Sequence, residues 1–190
     1  DVDAFALQNC YEINYQPRAG EIVALLNIGA ATMNINILNG TRSIFARDAS
    51  VGGSQYTSLL QKELGLSYEQ AEGVKRGMGL PEGVEPRPIQ PIIEAVSETL
   101  ALEVKKTVDF YRATAQEGEA AIQKILLAGG GSKLPGLAEF LANRFEIPVE
   151  VFDPFRQIEV DAKKFDPDYM REIVPEMAVA VGLALRGVEA

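Results

Sequence analysis

An Asn-Gly pair, Asn39 and Gly40, constrains the fold of this chain more than any other feature. This dipeptide favours the tight two-residue turn of a β-hairpin. Residues 32–38 before it alternate polar and apolar side chains, as a half-buried strand does, and residues 43–47 after it also have strand composition. The apolar run 22–28 precedes both and leads into them through a turn of small residues. The sequence therefore predicts a meander of three antiparallel strands.

The last third of the chain alternates strands with helices. Strands are predicted over 125–128 and 148–152, with a helix over 137–145 between them. Strands joined in this way are parallel, with a right-handed crossover. Residues 153–172 show little periodicity, which predicts a long loop, and Pro175 is placed at the start of a last helix. Together with the meander, this predicts an α/β fold with a mixed sheet and helices on both faces.

Further helices are predicted outside the sheet. A short helix opens the chain, and another ends at Gly65. Ser67 and Gln70 have the spacing of a capping box at the start of the next helix. An apolar stripe over 92–111 predicts a long amphipathic helix. Glycines and prolines between 77 and 88 interrupt the periodicity, which indicates the edge of a subdomain.

Composition excludes several classes of site. The chain has no histidine and one cysteine, Cys10, which excludes zinc sites built from these residues, internal disulfides and Ser-His-Asp catalysis. The net charge of −9 argues against nucleic acid as a partner. The apolar stretch 177–185 is shorter than the roughly 20 residues that cross a bilayer, so no direct membrane span is expected.

The first candidate site is a run of small residues between a predicted strand and a predicted helix. It consists of Gly129, Gly130, Gly131 and Ser132. Glycines at such a place let the backbone approach a ligand closely, and the helix start offers N–H donors. The run matches neither the dinucleotide-binding fingerprint nor a P-loop, because leucines replace a required Gly and Lys. The alternative is a tight turn that binds no ligand.

The second candidate is the turn between the first two strands, which contains Gly29, Ala30, Ala31 and Thr32. Small residues in a turn expose successive backbone N–H groups, which suit a terminal phosphate. The Thr32 hydroxyl adds one further hydrogen bond. The alternative is an ordinary hairpin turn.

The third candidate is the pair Glu72 and Lys75 on a predicted helix. A spacing of three places both side chains on one helical face. There, the carboxylate and the ammonium group can hold two sugar hydroxyls, one as acceptor and one as donor. The alternative is a surface ion pair, usually worth less than about 1 kcal/mol.

The order of these three candidates resembles the second half of the actin-like ATPase superfamily, which includes actin, Hsp70-type chaperones, sugar kinases and FtsA. The chain is more closely similar to the PilM family of type IV pilus assembly proteins. Four segments carry the closer resemblance: 3–9, 51–55, 165–167 and 179–185. The resemblance covers nearly the whole chain.

The resemblance implies a ribonuclease-H-like half of an actin-type fold with a small inserted subdomain. Residues 1–16 are then a connector helix between two domains, and the last helix is the second connector. Residues 17–53 and 90–190 form subdomain IIA, and 54–89 form the inserted subdomain IIB. The other domain of the cleft is expected to lie outside this chain.

The resemblance also assigns the candidates to ATP with Mg²⁺. Residues 29–32 become a phosphate motif, Glu72 and Lys75 meet the ribose, and 129–132 lie against the adenosine. The phosphate motif of the superfamily usually begins with an Asp that orients the metal. Here Asn27, a weaker partner for Mg²⁺, stands in that place, so no catalytic residue or metal ligand is assigned. We expect at most a weak ATPase, and this chain alone to be inactive, with weak or absent nucleotide binding.

The function implied is that of a cytoplasmic, ATP-binding adaptor in type IV pilus assembly and twitching motility. It links inner-membrane alignment proteins to cytoplasmic motor ATPases at the inner face of the inner membrane. The implied partners are the N-terminal tail of PilN, bound through the other domain, the motor ATPases or other pilus proteins, and further copies of the protein itself.

Three alternatives stay open. The first is an active ATPase or small-molecule kinase of the same superfamily. The second is an FtsA-like filament protein, although residues 186–190 do not form a basic amphipathic tail. The third is a ribonuclease-H-like scaffold whose nucleotide site is inactive.

Overall fold

The computed structural model describes residues 2–85, 88–114, 121–161 and 163–186. A five-stranded sheet lies at its centre. The strands are β1 (Ile22–Ile28), β2 (Met33–Asn39), β3 (Arg42–Ala49), β4 (Lys124–Ala128) and β5 (Val149–Val151). Their order across the sheet is β3-β2-β1-β4-β5.

The pairing of the strands is mixed. β1, β2 and β3 are antiparallel neighbours, with Ile22 opposite Asn39. Gly40 has a φ of +58°, the left-handed conformation that the tight turn requires. β4 is parallel to β1, with Val23 opposite Lys124, and β5 is parallel to β4. The predicted meander and the predicted parallel strands are therefore both confirmed.

Helices cover both faces of the sheet, as predicted. Successive side chains of β1 point to opposite faces. Ala24 and Leu26 pack against one group of helices, whereas Val23 and Leu25 pack against α1 and α7. The helices are α1 (Asp3–Tyr15), α2 (Gly53–Leu64), α3 (Tyr68–Lys75), α4 (Gln90–Thr114), α5 (Leu137–Phe145), α6 (Pro167–Ile173) and α7 (Ala178–Leu185). Within the described ranges, none of them has the length and apolarity needed to cross a membrane.

The first and last helices pack backbone to backbone. A Cβ atom at Gly182 of α7 would lie 1.8 Å from the carbonyl oxygen of Ala6 on α1. Glycine is therefore the residue that lets these two helices approach so closely. Ala6 is fully buried at this crossing.

The chain after β5 first packs on α1. The Asp153 N–H donates to the Tyr15 hydroxyl at 2.9 Å, and the Gln157 N–H donates to Asn14 Oδ1 at 2.9 Å. Cys10 lies beneath this segment, and burial raises the pKa of its thiol to about 12. The beginning of the predicted loop 153–172 is therefore held against the core.

At the end of the segment 153–172 the loop prediction is wrong, because a helix forms there. Residues Pro167–Ile173 form α6. The Asp166 carboxylate caps it by accepting the N–H groups of Asp168 and Tyr169, both at 2.9 Å. Asp166 is thus an N-cap, and proline follows it at the first helical position, so this part of the segment is a helix rather than a loop.

The position predicted for Pro175 is also wrong. Pro175 lies in a short 3₁₀ turn, Val174–Glu176, and α7 begins only at Ala178. The carbonyl of Pro175 accepts the N–H of Gly129 at 2.8 Å. This turn therefore ties the end of β4 to the start of the last helix.

Residues of α2, α3 and the following segment form a small hydrophobic cluster of their own. Leu60, Leu66, Ala71 and Val74 are its buried members. The Ser67 hydroxyl accepts the Gln70 N–H, and the Gln70 side chain accepts the Ser67 N–H, which confirms the predicted capping box. The limits 54–89 of an inserted subdomain stay a prediction.

Candidate functional site

A pocket of about 240 Å³ opens where β1 and β4 end. Because these strands are parallel neighbours, the turn after β1 and the loop after β4 meet at one edge of the sheet. α2 and α3 supply the other wall. The pocket brings together six of the residues predicted from the sequence: Gly29, Ala30, Glu72, Lys75, Gly130 and Gly131.

The other four predicted residues do not line this pocket. Ala31 and Thr32 are exposed on the turn. Ser132 is 4% exposed, and its hydroxyl donates to the carbonyl of Gly129 at 2.7 Å. Ser132 and Gly129 therefore lie beneath the pocket and fix the shape of the loop.

The start of α2 is bonded to the turn after β1. The N–H groups of Gly53 and Ser54 donate to the carbonyls of Gly29 and Ala30, at 2.9 and 2.8 Å. A Cβ atom at Gly52 would lie 2.6 Å from each of these carbonyl oxygens. Gly52, the residue before α2, thus lets the helix begin directly on the turn, and the two N–H bonds hold the turn and the start of α2 together.

Glu72 and Lys75 form an ion pair whose Nζ and Oε1 atoms lie 2.5 Å apart. Their side chains are 19% and 18% exposed, so this pair is more enclosed than a solvated surface ion pair. Thr57 of α2 completes the group. Its hydroxyl donates to Glu72 Oε1 and accepts from Lys75 Nζ, at 3.1 Å in the latter case.

The environment of Glu72 lowers the pKa of its carboxyl. Burial alone would raise this pKa, but hydrogen bonds from Lys75 and Thr57 and the charges of Lys75 and Arg76 outweigh burial. The carboxylate form is therefore favoured in the folded state.

Glu72→Gln is expected to destabilise the chain by about 1 kcal/mol near neutral pH, because the charged acceptor is lost. A lowered pKa in the folded state stabilises the fold above the ordinary value of 4.5, and this stabilisation is lost as the pH falls through the lowered pKa. The difference in free energy of unfolding between wild type and Glu72→Gln should therefore shrink below pH 4.5 in urea titrations. Glu12→Gln, at an exposed position on α1, is the control. A difference that grows on acidification would contradict the assignment.

The glycines after β4 have different roles. Gly129 has φ +80°, and a Cβ atom there would lie 2.5 Å from the carbonyl oxygen of Ile28. A Cβ atom at Gly131 would lie 2.2 Å from Cγ2 of Ile28. A Cβ atom at Gly130 would lie 3.7 Å from a carboxylate oxygen of Glu176. Gly129 and Gly131 therefore let the loop pack on the end of β1, and Gly130 faces the pocket.

Asn27 lies at the end of β1 but does not line the pocket. Its Nδ2 donates to Asn34 Oδ1 at 2.9 Å, and Asn34 Nδ2 donates to Asp48 Oδ1 at 2.7 Å. Among the residues that the structure describes, no group of three or more His, Cys, Asp or Glu side chains is placed to hold a metal ion.

Several lining residues were not among the predicted ones. Tyr68, at the start of α3, and Arg76, its C-cap residue, lie four residues before and after Glu72, and this spacing is a sequence signal for both. Lys133 directly follows the glycine-serine run, and its Nζ lies 2.7 Å from Glu176 Oε1. Glu176 comes from the turn before α7, and no local pattern indicates its place.

Comparison with known proteins identifies the family. A family model described as "Type IV pilus assembly protein PilM" matches residues 1–188. A solved PilM-PilN type IV pilus biogenesis complex is 32% identical with a TM-score of 0.84, and the match covers 100% of this chain and 53% of that chain. The chain thus spans about half the length of this relative.

Two further relatives are more distant. Ethanolamine utilization protein EutJ of Escherichia coli K12 is 28% identical over 121 residues, 64% of this chain and 38% of that protein. MreB5 of Spiroplasma citri, solved with ADP, is 14% identical with a TM-score of 0.65, covering 98% of this chain and 59% of that one, and it shows the fold alone. The fold is thus that of the actin-like proteins, and the chain belongs to the PilM family of type IV pilus assembly proteins.

Proposed function

We propose that this chain forms one wall of an ATP site in an actin-like pilus assembly protein, and that the protein acts as an assembly adaptor. One observation carries the proposal. The pocket gathers residues from the turn after β1, from α3 and from the loop after β4, three segments far apart in the sequence. This is the arrangement that the resemblance requires for phosphate, ribose and adenosine.

The residues present fit a nucleotide. Glu72 and Lys75 place an acceptor and a donor side by side, which suits the two hydroxyls of a ribose. Gly130 faces the pocket without a side chain, so a flat base can approach the backbone there.

The charge of the pocket also fits. Its lining has three basic side chains, Lys75, Arg76 and Lys133, and two acidic ones, Glu72 and Glu176. The lining is therefore more basic than the chain as a whole, whose net charge is −9. A locally basic pocket on an acidic protein favours a small anionic ligand over an extended polyanion.

Mg²⁺ is expected to arrive with the phosphates rather than on a carboxylate of this chain. When bound, it would neutralise phosphate charge. Asn27 is neutral, so it offers less to the metal and its waters than the carboxylate of an Asp. This supports binding of ATP with slow turnover or none.

The adaptor role extends the proposal to partners. A similar protein was solved as a PilM-PilN complex, and we assign the N-terminal tail of PilN as a partner of the whole protein, bound outside this chain. Motor ATPases and further copies are the other proposed partners, at the cytoplasmic face of the inner membrane. α1 and α7 serve as connectors to the other half, and residues 54–89 form the inserted subdomain.

Calorimetry with a peptide of the PilN N-terminal tail tests the adaptor role. The protein is this chain joined to the remaining half that its solved relative has. We expect the peptide to bind, with an affinity that differs between the ATP-bound and nucleotide-free protein. A protein that binds ATP but not the peptide would contradict the adaptor role.

Steady-state phosphate release separates this role from the enzyme alternative. Kinases turn over at about 1–100 per second. We expect a rate far below this range, because Asn27 replaces the metal-orienting Asp. A rate within the range would favour an active ATPase or kinase instead.

A further inference from the structure

The hydroxyl of Thr57 lies where two parts of the pocket wall meet. Thr57 is 1% exposed and does not itself line the pocket. Its hydroxyl donates to Glu72 Oε1 and accepts from Lys75 Nζ at 3.1 Å, while that Nζ also donates to the same Glu72 oxygen at 2.5 Å. The three polar atoms form a closed triangle between α2 and α3.

The helix that carries Thr57 is fixed to the turn after β1. Gly53 and Ser54, at the start of α2, donate their N–H groups to the carbonyls of Gly29 and Ala30. Thr57 follows one helical turn later. The turn is therefore connected to Glu72 through the first turn of α2 and the hydroxyl of Thr57.

An ion pair alone does not fix its own position. Glu72 and Lys75 lie on the same helix, three residues apart, so they can pair in several rotamers. The hydroxyl of Thr57 selects one of them, because it presents an acceptor to the ammonium group and a donor to the carboxylate at the same point. Groups held in advance in this way bind a ligand more tightly and more selectively.

We infer that Thr57 is a positioning residue that fixes the Glu72–Lys75 pair relative to the turn after β1, and that it thereby sets how strongly the site selects for sugar hydroxyls. This inference rests on the proposed function, since it assumes that the pocket binds ATP. Thr57 acts through Glu72 and Lys75 and does not contact the nucleotide.

The test compares ATP with 2′,3′-dideoxy-ATP, which lacks both sugar hydroxyls. Equilibrium binding of each, with Mg²⁺, is measured for the protein with both halves of the cleft. Thr57→Val removes the hydroxyl and keeps the shape of the side chain, whereas Thr57→Ser keeps the hydroxyl. We expect the preference of the wild type for ATP to fall by about tenfold in Thr57→Val and to persist in Thr57→Ser.

A purely structural role for Thr57 gives a different result. A general loosening of the fold would weaken both nucleotides equally and leave their ratio unchanged. If Thr57→Val does not fold, Thr57→Ala, with a smaller side chain, provides the same comparison.

A second readout needs no nucleotide. NMR titration of the Glu72 carboxyl in this chain should show a higher pKa in Thr57→Val than in wild type, because one hydrogen bond that lowers this pKa is lost. Thr57→Ser should behave like wild type. An unchanged Glu72 pKa in Thr57→Val would show that the hydroxyl does not hold the carboxylate, and would overturn the inference.

The outcomes separate the inference from the function on which it rests. Failure of the wild-type protein to bind ATP overturns the proposed function and the inference together. Wild-type binding with a clear preference for ATP, and an unchanged preference in Thr57→Val, overturns the inference and leaves the proposed function intact.

Discussion

Gly182→Ala is expected to lower the free energy of unfolding by about 3 kcal/mol and the melting temperature by roughly 10 °C. The added Cβ atom would lie 1.8 Å from the carbonyl oxygen of Ala6. The clash is with backbone, so a change of rotamer does not relieve it. α1 and α7 must move apart, which breaks the packing of Leu7 and Val181 against the sheet.

Alanine favours an isolated helix over glycine by roughly 1 kcal/mol, so propensity alone predicts a stabilised α7. A lower free energy of unfolding in Gly182→Ala therefore indicates the steric clash, and a higher one indicates helix propensity. Leu183→Ala, at the neighbouring exposed position, is the control and should change stability far less. Thermal and urea unfolding of both variants give the comparison. A Gly182→Ala variant as stable as wild type would contradict the close crossing of the two helices.

Gly129→Ala is the second substitution with a large expected effect, a loss of about 3 kcal/mol. Gly129 has φ 80° and ψ 168°, a conformation that is essentially restricted to glycine. Its added Cβ atom would also lie 2.5 Å from the carbonyl oxygen of Ile28 and 2.7 Å from Asn27 Oδ1. The strained backbone conformation and the steric clash of the Cβ atom both destabilise the alanine variant.

The adjacent glycine provides a matched control. Gly130 is in a helical turn, and its added Cβ atom would meet only the Glu176 carboxylate, at 3.7 Å. Gly130→Ala should therefore change the free energy of unfolding by no more than about 0.5 kcal/mol. Urea titration of both variants measures the difference. Equal losses at the two positions would show that the loop after β4 does not pack on the end of β1 as described.

The elements that the sequence predicts well are those set by local chemistry. Gly40 supplies the positive φ that the tight turn at Gly40 and Thr41 needs, and Ser67 caps α3 through its immediate neighbours. α6 shows the limit of such patterns. Asp166 followed by proline fits both a loop and a helix start, and the choice depends on the residues that follow.

The candidate site depends more on long-range pairing. Gly29 and Gly130 each lie in a motif visible in the sequence, but they share a pocket only because β4 pairs with β1. The residues that contact these motifs from other elements are harder to find in the sequence. Thr57 on α2 and Glu176 before α7 reach the site through packing between elements, which leaves no periodic or spacing signal.

Equilibrium binding of Mg-ATP tests the central claim, that this pocket is one wall of a nucleotide site. The protein carries both halves of the cleft, and wild type is compared with the double variant Glu72→Ala, Lys75→Ala. The control double variant, Lys105→Ala with Asp109→Ala, removes an exposed ion pair on α4 that also consists of a lysine and a carboxylate. We predict micromolar binding by wild type and control, and binding weaker by at least about tenfold in the pocket variant. Equal binding by all three proteins, or none by wild type, would contradict the account.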